Sequence, residues 1–255
     1  MTTTAHDNMS FLEHLEELRW HVIRSLIAII SAGFICFLMK DFIFDTIIFG
    51  PKKMDFPTYK FLCQAATFIG VETTFCGDEF PFVVQNRTMA GQFSAHVMTS
   101  VIAGFIISFP YVLYEFWKFI SPGLLAKEKS KSRGFIFISS LLFFIGVLFG
   151  YYIICPLSIN FLGTYQVSSE VLNEIDLGSF ISLVRSSAIA SGIIFELPII
   201  IYFLTKAGVV TPKSLVKYRK YALVLVLILA AIITPPDVAS QIIVAIPIVI
   251  LYQVS

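Results

Sequence analysis

The stretch GFIFISSLLFFIGVLFGYYIICP, Gly134–Pro156, contains no Asp, Glu, Lys or Arg. Wound as an α-helix it is about 34 Å long at ~1.5 Å per residue, enough to cross a hydrocarbon core of about 30 Å. The rest of the chain agrees with this reading. Of 255 residues, 57% are hydrophobic and only 14% charged, 26 are Phe, and the mean hydropathy is +0.84. A soluble domain carries about 25% charge to cover its surface. Here the bilayer has to be the solvent for much of that surface, and the backbone must satisfy its own hydrogen bonds in helices. The net charge of +1 gives no general attraction to nucleic acid.

Working outward, five more spans are predicted. They cover His21–Ile43, Phe93–Tyr114, Phe180–Leu204, Tyr221–Ile233 and Val238–Val254. The predicted class is an all-α polytopic membrane protein of six transmembrane helices, a single membrane domain over residues 1–255. The last two helices are short. Ala222–Ile233 covers only about 18 Å, and Thr234-Pro235-Pro236-Asp237 then forces a turn, since neither proline donates to a helix ladder. Two short spans locally thin the bilayer; the alternative is a re-entrant hairpin.

Ahead of the first span, Ser10-Phe11-Leu12-Glu13 has the pattern of a capping box. Phe11, Leu15, Leu18 and Val22 form an apolar stripe at helical spacing. Residues 10–20 therefore read as an amphipathic lead-in on the membrane surface. Its acidic residues Glu13, Glu16 and Glu17 are the wrong flank for a cleavable signal peptide, which predicts that the first apolar run is retained.

Twelve of the eighteen basic residues fall on one side of this topology. They are concentrated at Arg19 and Arg24, in the loop 117–133, and from Lys206 to Lys220. The short opposite segments 157–178 and 234–237 have none. The positive-inside rule then predicts that both termini are cytoplasmic. The long segment 45–92, with Pro51, Pro57 and Pro81, is predicted to form an outer cap of short amphipathic helices. Cys63 and Cys76 both lie in it. A bridge between them would pin the cap; the alternative is two thiols too far apart to bond.

Three polar groupings stand out. Glu13, Glu16 and Glu17 on the lead-in read either as a solvated face or as a carboxylate surface for a cationic partner. Glu128 sits among the basic residues of the loop 117–133. Glu196, in Phe195-Glu196-Leu197-Pro198, lies inside the fourth span, where a charge costs about 2.5–3.5 kcal/mol. It requires a cavity, a partner or a proton; the plainer reading is a hydrogen-bonded residue beside a Pro198 kink. No Ser/His/Asp, Cys/His or metal-ligand spacing is present, so neither an enzyme nor a cofactor is predicted.

Four ordered motifs resemble the TatC family, the multispanning core of the twin-arginine protein translocase. They are His14-Leu15-Glu16-Glu17-Leu18-Arg19; the segment from Pro110 to Leu124 that contains Glu115-Phe116-Trp117-Lys118-Phe119; Phe195-Glu196-Leu197-Pro198; and Thr234-Pro235-Pro236-Asp237 with Ser240-Gln241. The resemblance covers residues 10–255. It implies a concave, glove-like six-helix fold in the bacterial inner membrane. It also implies a receptor that binds twin-arginine signal peptides and supports export of folded proteins on the proton-motive force. Partners implied are single-span subunits of the TatA and TatB type and membrane lipids, within an oligomeric receptor complex.

By position, Glu17 and Glu128 match the carboxylates of the twin-arginine site, with Arg19, Phe119 and Glu115 beside them. Glu196 and Gln241 match intramembrane polar positions. Pro51, Pro110, Pro198, Pro235, Pro236 and Asp237 match structural ones. Arginine is always charged and pairs bidentately with carboxylates, so two surface carboxylates suit an arginine pair. Three positions depart from the family pattern: His21 where a second base is usual, Glu115 where Gln is usual, and Lys129 after Glu128 where Arg is usual. A secondary transporter using Glu196 and Arg185 is the competing reading; it needs a midplane site with several converging polar groups.

Overall fold

The computed structural model describes residues 11–70, 76–77, 80–120, 132–168, 170–206, 211, 220–221, 224, 227–228, 231 and 238–254. Its helices are α1 (Phe11–Leu38), α2 (Pro57–Ile69), α3 (Gly91–Ile120), α4 (Ser132–Phe149), α5 (Cys155–Thr164), α6 (Leu177–Phe195), α7 (Leu197–Lys206) and α8 (Val238–Val254). Wide π-helical turns occupy Phe42–Ile48 and Gly150–Ile154. Four helical stretches among the described residues are long and apolar enough to span a membrane: Leu15–Leu38, Gly91–Ile120, Gly134–Thr164 and Leu177–Thr205. The fifth predicted span falls mostly outside the described residues, as do Pro235, Pro236 and Asp237.

The chain divides into two compact units. The first comprises Met1–Leu38 with Ser100–Ser140. In it α1 and α3 pack backbone to backbone. A Cβ added at Gly104 would stand 2.5 Å from the Gly33 nitrogen and 2.6 Å from the Ile29 carbonyl oxygen, so only glycine fits. The Ser108 hydroxyl donates to the Ala28 carbonyl at 3.0 Å across the same contact. Small residues are what let helices approach in lipid, where apolar burial gives no net drive. Ile27, Ile30, Phe34 and Leu38 form an exposed apolar stripe on α1, a surface for acyl chains.

The second unit comprises Met39–Thr99 with Leu141–Ser255. Its α4 and α6 also meet at glycines: a Cβ at Gly146 would come 2.7 Å from the Ser191 oxygen, and one at Gly192 would come 2.8 Å from the Phe143 ring. The cap is α2, started by Pro57 in its first turn and ended by Gly70 at φ +74°, the usual placement of the two residues. Tyr59 is fully buried and its hydroxyl donates to the carbonyls of Pro51, at 2.9 Å, and Pro156, at 3.0 Å. A disulfide joins Cys63 and Cys76 with a Cα separation of 5.1 Å.

The helix expected to start near Phe11 does so, and as α1 it runs unbroken into the first span. Other boundaries differ from the expectation. The third span does not stop at Pro156 but continues as α5 to Thr164. Pro156 has no N–H for the carbonyl four residues back, that of Tyr152. The Thr58 hydroxyl of the cap donates to that carbonyl instead, so the helix persists. A two-stranded parallel ribbon was not anticipated. β1 (Phe82–Gln85) pairs with β2 (Asn173–Asp176), with Phe82 opposite Asn173 and Gln85 opposite Asp176. The Phe82 ring lies over Gly163, where a Cβ would meet it at 2.6 Å. Arg87 and Glu174 pair at 3.0 Å beside the ribbon. The segments read as all loop or all helix thus include these two strands.

Candidate functional site

Within the first unit, the polar residues collect where the start of α1 meets the end of α3. His21 Nδ1 donates to Glu115 Oε2 at 2.5 Å. The Glu115 side chain is only 4% exposed, and Arg24 Nη1 stands 3.9 Å from the same oxygen. The Phe119 ring packs edge-on to the His21 ring at 6.2 Å, one turn beyond Glu115. Trp117 is buried against Phe135 of α4, ring centres 4.6 Å apart. Glu115 and Phe119 are four residues apart and share a helix face; Trp117 turns the other way and anchors that end of α3. A carboxylate held this far from solvent needs a charged or donating partner, and His21 with Arg24 supplies it.

Glu17 lies on α1 one turn before His21, and Arg19 two residues before it. Glu17 is half-buried and Arg19 exposed. Among the described residues Glu17 makes no ion pair within 4.0 Å. The two carboxylates are therefore in opposite states: Glu115 is closed by its own chain, while Glu17 is open. Glu128, the second carboxylate expected here, lies outside the described residues.

The other positions are placed elsewhere. Glu196 is the single-residue turn between α6 and α7. Its N–H goes to the Ile193 carbonyl at 3.1 Å, and its carbonyl accepts from Ile199 and Ile200 at 3.0 Å each. Pro198 cannot donate, so α6 ends and the chain restarts as α7. Gln241, on α8, donates through Nε2 to the Leu227 carbonyl at 3.3 Å. Pro51 is buried and receives Tyr59, and Pro110 sits inside α3. Among the described residues no group of His, Cys, Asp and Glu is arranged to hold a metal ion.

His21 is the residue that sequence reasoning did not place in the site. The signal was there in two departures from the family pattern, a histidine on α1 and an extra glutamate on α3. Ninety-four positions separate them, and only the α1–α3 contact makes them partners.

Comparison with known proteins places these features in one family. The model described as "Sec-independent protein translocase protein (TatC)" matches residues 13–247. A protein of that name from Blattabacterium sp. subsp. Periplaneta americana is 47% identical over 250 residues, covering 98% of this chain and 94% of the relative. One from Aquifex aeolicus is 35% identical over 250 residues, covering 97% and 93%. A crystal structure of the twin arginine translocase receptor TatC in DDM superposes with a TM-score of 0.71 at 34% identity, covering 95% of this chain and 97% of that one. A second structure of that receptor gives 0.69 at the same identity.

Proposed function

The chain belongs to the TatC family of Sec-independent protein translocase proteins, and from that premise we propose that it is the receptor that takes up twin-arginine signal peptides. As a member of that family it is a multi-pass membrane component of a protein translocase and not an enzyme. In our reading Glu17 and Glu128 each take one guanidinium of the arginine pair at the cytoplasmic rim. Arg19, Phe119 and Glu115 form the wall beside them. Both termini are cytoplasmic and the membrane is the bacterial inner membrane. The proton-motive force drives export, in an oligomeric complex with single-span subunits of the TatA and TatB type. Residues 1–255 act as one membrane domain, with no cofactor.

The observation that carries this reading is the contrast at the α1–α3 junction. Glu17, which has no ion pair among the described residues and lies one turn before the His21 that satisfies Glu115, is available to an incoming cation. A charge-assisted hydrogen bond is worth about 1.5–3 kcal/mol, so losing one guanidinium contact weakens binding by about tenfold or more. Glu17→Ala and Glu128→Ala are each expected to reduce photocrosslinking of a precursor from this region by that factor. The double variant should no longer distinguish an arginine pair from a lysine pair. Unchanged crosslinking in both single variants would refute the assignment.

A further inference from the structure

Arg185 lies on α6, eight residues in from Leu177, in a stretch otherwise free of charge. Its Nε and Nη1 are both shielded from solvent and make no hydrogen bond. Among the described residues no carboxylate lies within 4.0 Å of it. Arg185 as a whole is half-buried; shielding two of its three nitrogens without a partner carries part of the several kcal/mol that a fully buried guanidinium would cost. An Arg inside a membrane protein is therefore a pointer to something it holds.

The side chain forms part of the wall of an open cleft of about 370 Å³. Thr88, Gly91, Ser94 and Gly178 line the same cleft, so two hydroxyls and two glycine backbones surround the guanidinium. Gly91 begins α3 and Gly178 lies in the first turn of α6. The positive ends of both helix dipoles thus lie at the cleft. Asp176, two residues before Gly178, does not neutralise them all: its Oδ2 caps α6 by accepting the Ser179 N–H at 3.2 Å. Glu174 is already paired with Arg87.

Depth names the ligand chemistry. A helix of the length of α3 is about 45 Å long, longer than the ~30 Å hydrocarbon core, so its ends reach the headgroup zone. Arg185 starts about 12 Å along α6 and reaches back towards Gly178 at the helix start, as long basic side chains do near span ends. At that level the abundant anion is a lipid phosphate.

We infer that this cleft is a binding site for a phosphate group, supplied by an anionic lipid headgroup, with Arg185 as the charged ligand and Thr88 and Ser94 as hydroxyl donors. The guanidinium fork matches phosphate oxygens bidentately, and the Thr88 hydroxyl stands against Gly91, 2.4 Å from where a Cβ would be. The site does not depend on the signal-peptide reading, since it shares no residue with the α1–α3 junction.

The test uses the full-length protein, stripped of lipid in detergent. Native mass spectrometry and thermal unfolding are then followed as phosphatidylglycerol or inorganic phosphate is added. Phosphatidylglycerol is expected to form a discrete adduct and raise the melting temperature. Arg185→Gln should weaken the adduct at least tenfold and Arg185→Lys less so. Ser94→Phe, which fills the cleft and keeps the charge, should also remove it. A matching rise with inorganic phosphate would assign the site to phosphate from either source; a rise with the lipid alone would assign it to the headgroup. Without added ligand, Arg185→Gln should be at least as stable as the parent, because it removes an unpaired charge. Equal phosphatidylglycerol binding in parent, Arg185→Gln and Ser94→Phe would overturn the proposal. So would a lipid-free Arg185→Gln protein that unfolds well below the parent.

Discussion

In the α2 cap the hydroxyls of Thr58, Tyr59 and Tyr151 all end on backbone carbonyls, those of Tyr152, Pro51, Pro156 and Ile47. Around His21, in the other unit, the partners are side chains, and Glu17 has no ion pair among the described residues. The first arrangement spends its polar groups on irregular backbone. Prolines and π turns leave carbonyls without their regular donors, and these hydroxyls take the donors' place. The second arrangement keeps ionisable groups at a helix junction, where a partner of opposite charge is exchangeable. One region is built to hold a shape and the other to recognise a charge. Changes in the first should therefore move stability, and changes in the second binding.

The largest expected effect lies in the cap. Tyr59→Phe keeps the ring and its packing against Phe56 and Phe80 but removes the donor to two carbonyls. Burial pushes the Tyr59 hydroxyl far above the usual tyrosine range, so it is a protonated donor throughout the working pH. The hydroxyl shares one proton between the two carbonyls, and that of Pro156 also belongs to the α5 ladder, so one buried acceptor is left short at about 1–3 kcal/mol. We expect a loss of about 2–3 kcal/mol, read as a lower midpoint in thermal unfolding, with unchanged precursor crosslinking in the protein that remains folded. A variant as stable as the parent would break the contrast.

The cap also shows where reading the sequence stops. The charge-free run Gly134–Pro156 announced a span, with Pro156 as its expected bound. The span goes on because Thr58, 94 positions away from Tyr152, supplies the missing donor. The ribbon escaped for the same reason: FVVQ and NEID are four residues each, too short to show a period, and they pair across more than ninety positions. The open carboxylate Glu17 was visible because its motif is local. The closed one, Glu115, was visible only as a residue type, because His21 reaches it through tertiary structure. Long-range pairings carry little signal in one sequence, whereas apolar length and local motifs carry much.

A smaller effect is expected at the closed carboxylate. Glu115→Gln keeps a hydrogen-bonding group against His21 but removes the charge that His21 and Arg24 share. A net loss of about 1 kcal/mol in stability follows, with a modest fall in crosslinking compared with Glu17→Ala. Glu115→Ala leaves the shielded His21 ring and Arg24 without their acceptor and should cost more, about 1–3 kcal/mol. If Glu115→Gln abolished precursor binding as fully as Glu17→Ala, Glu115 would be a direct ligand of the arginine pair and not the brace of α3. Thermal midpoints and crosslinking yields of the three variants, measured side by side, separate the two roles.

The smallest effect is expected at Glu196, which belongs to neither pattern. Its backbone makes the turn that Pro198 requires, and its carboxylate is half-buried in the span. Beside that turn the contribution expected of the side chain is polarity, not charge. Glu196→Gln preserves shape and hydrogen-bonding capacity and should lower export by less than about twofold, a difference of ~0.4 kcal/mol. Glu196→Ala removes both and should fall further, in export and in stability together. Transport assays in membrane vesicles at equal protein level measure the split. Equal loss in Gln and Ala would mean that the ionised form is required, and Glu196 would then join Glu17 as a working charge.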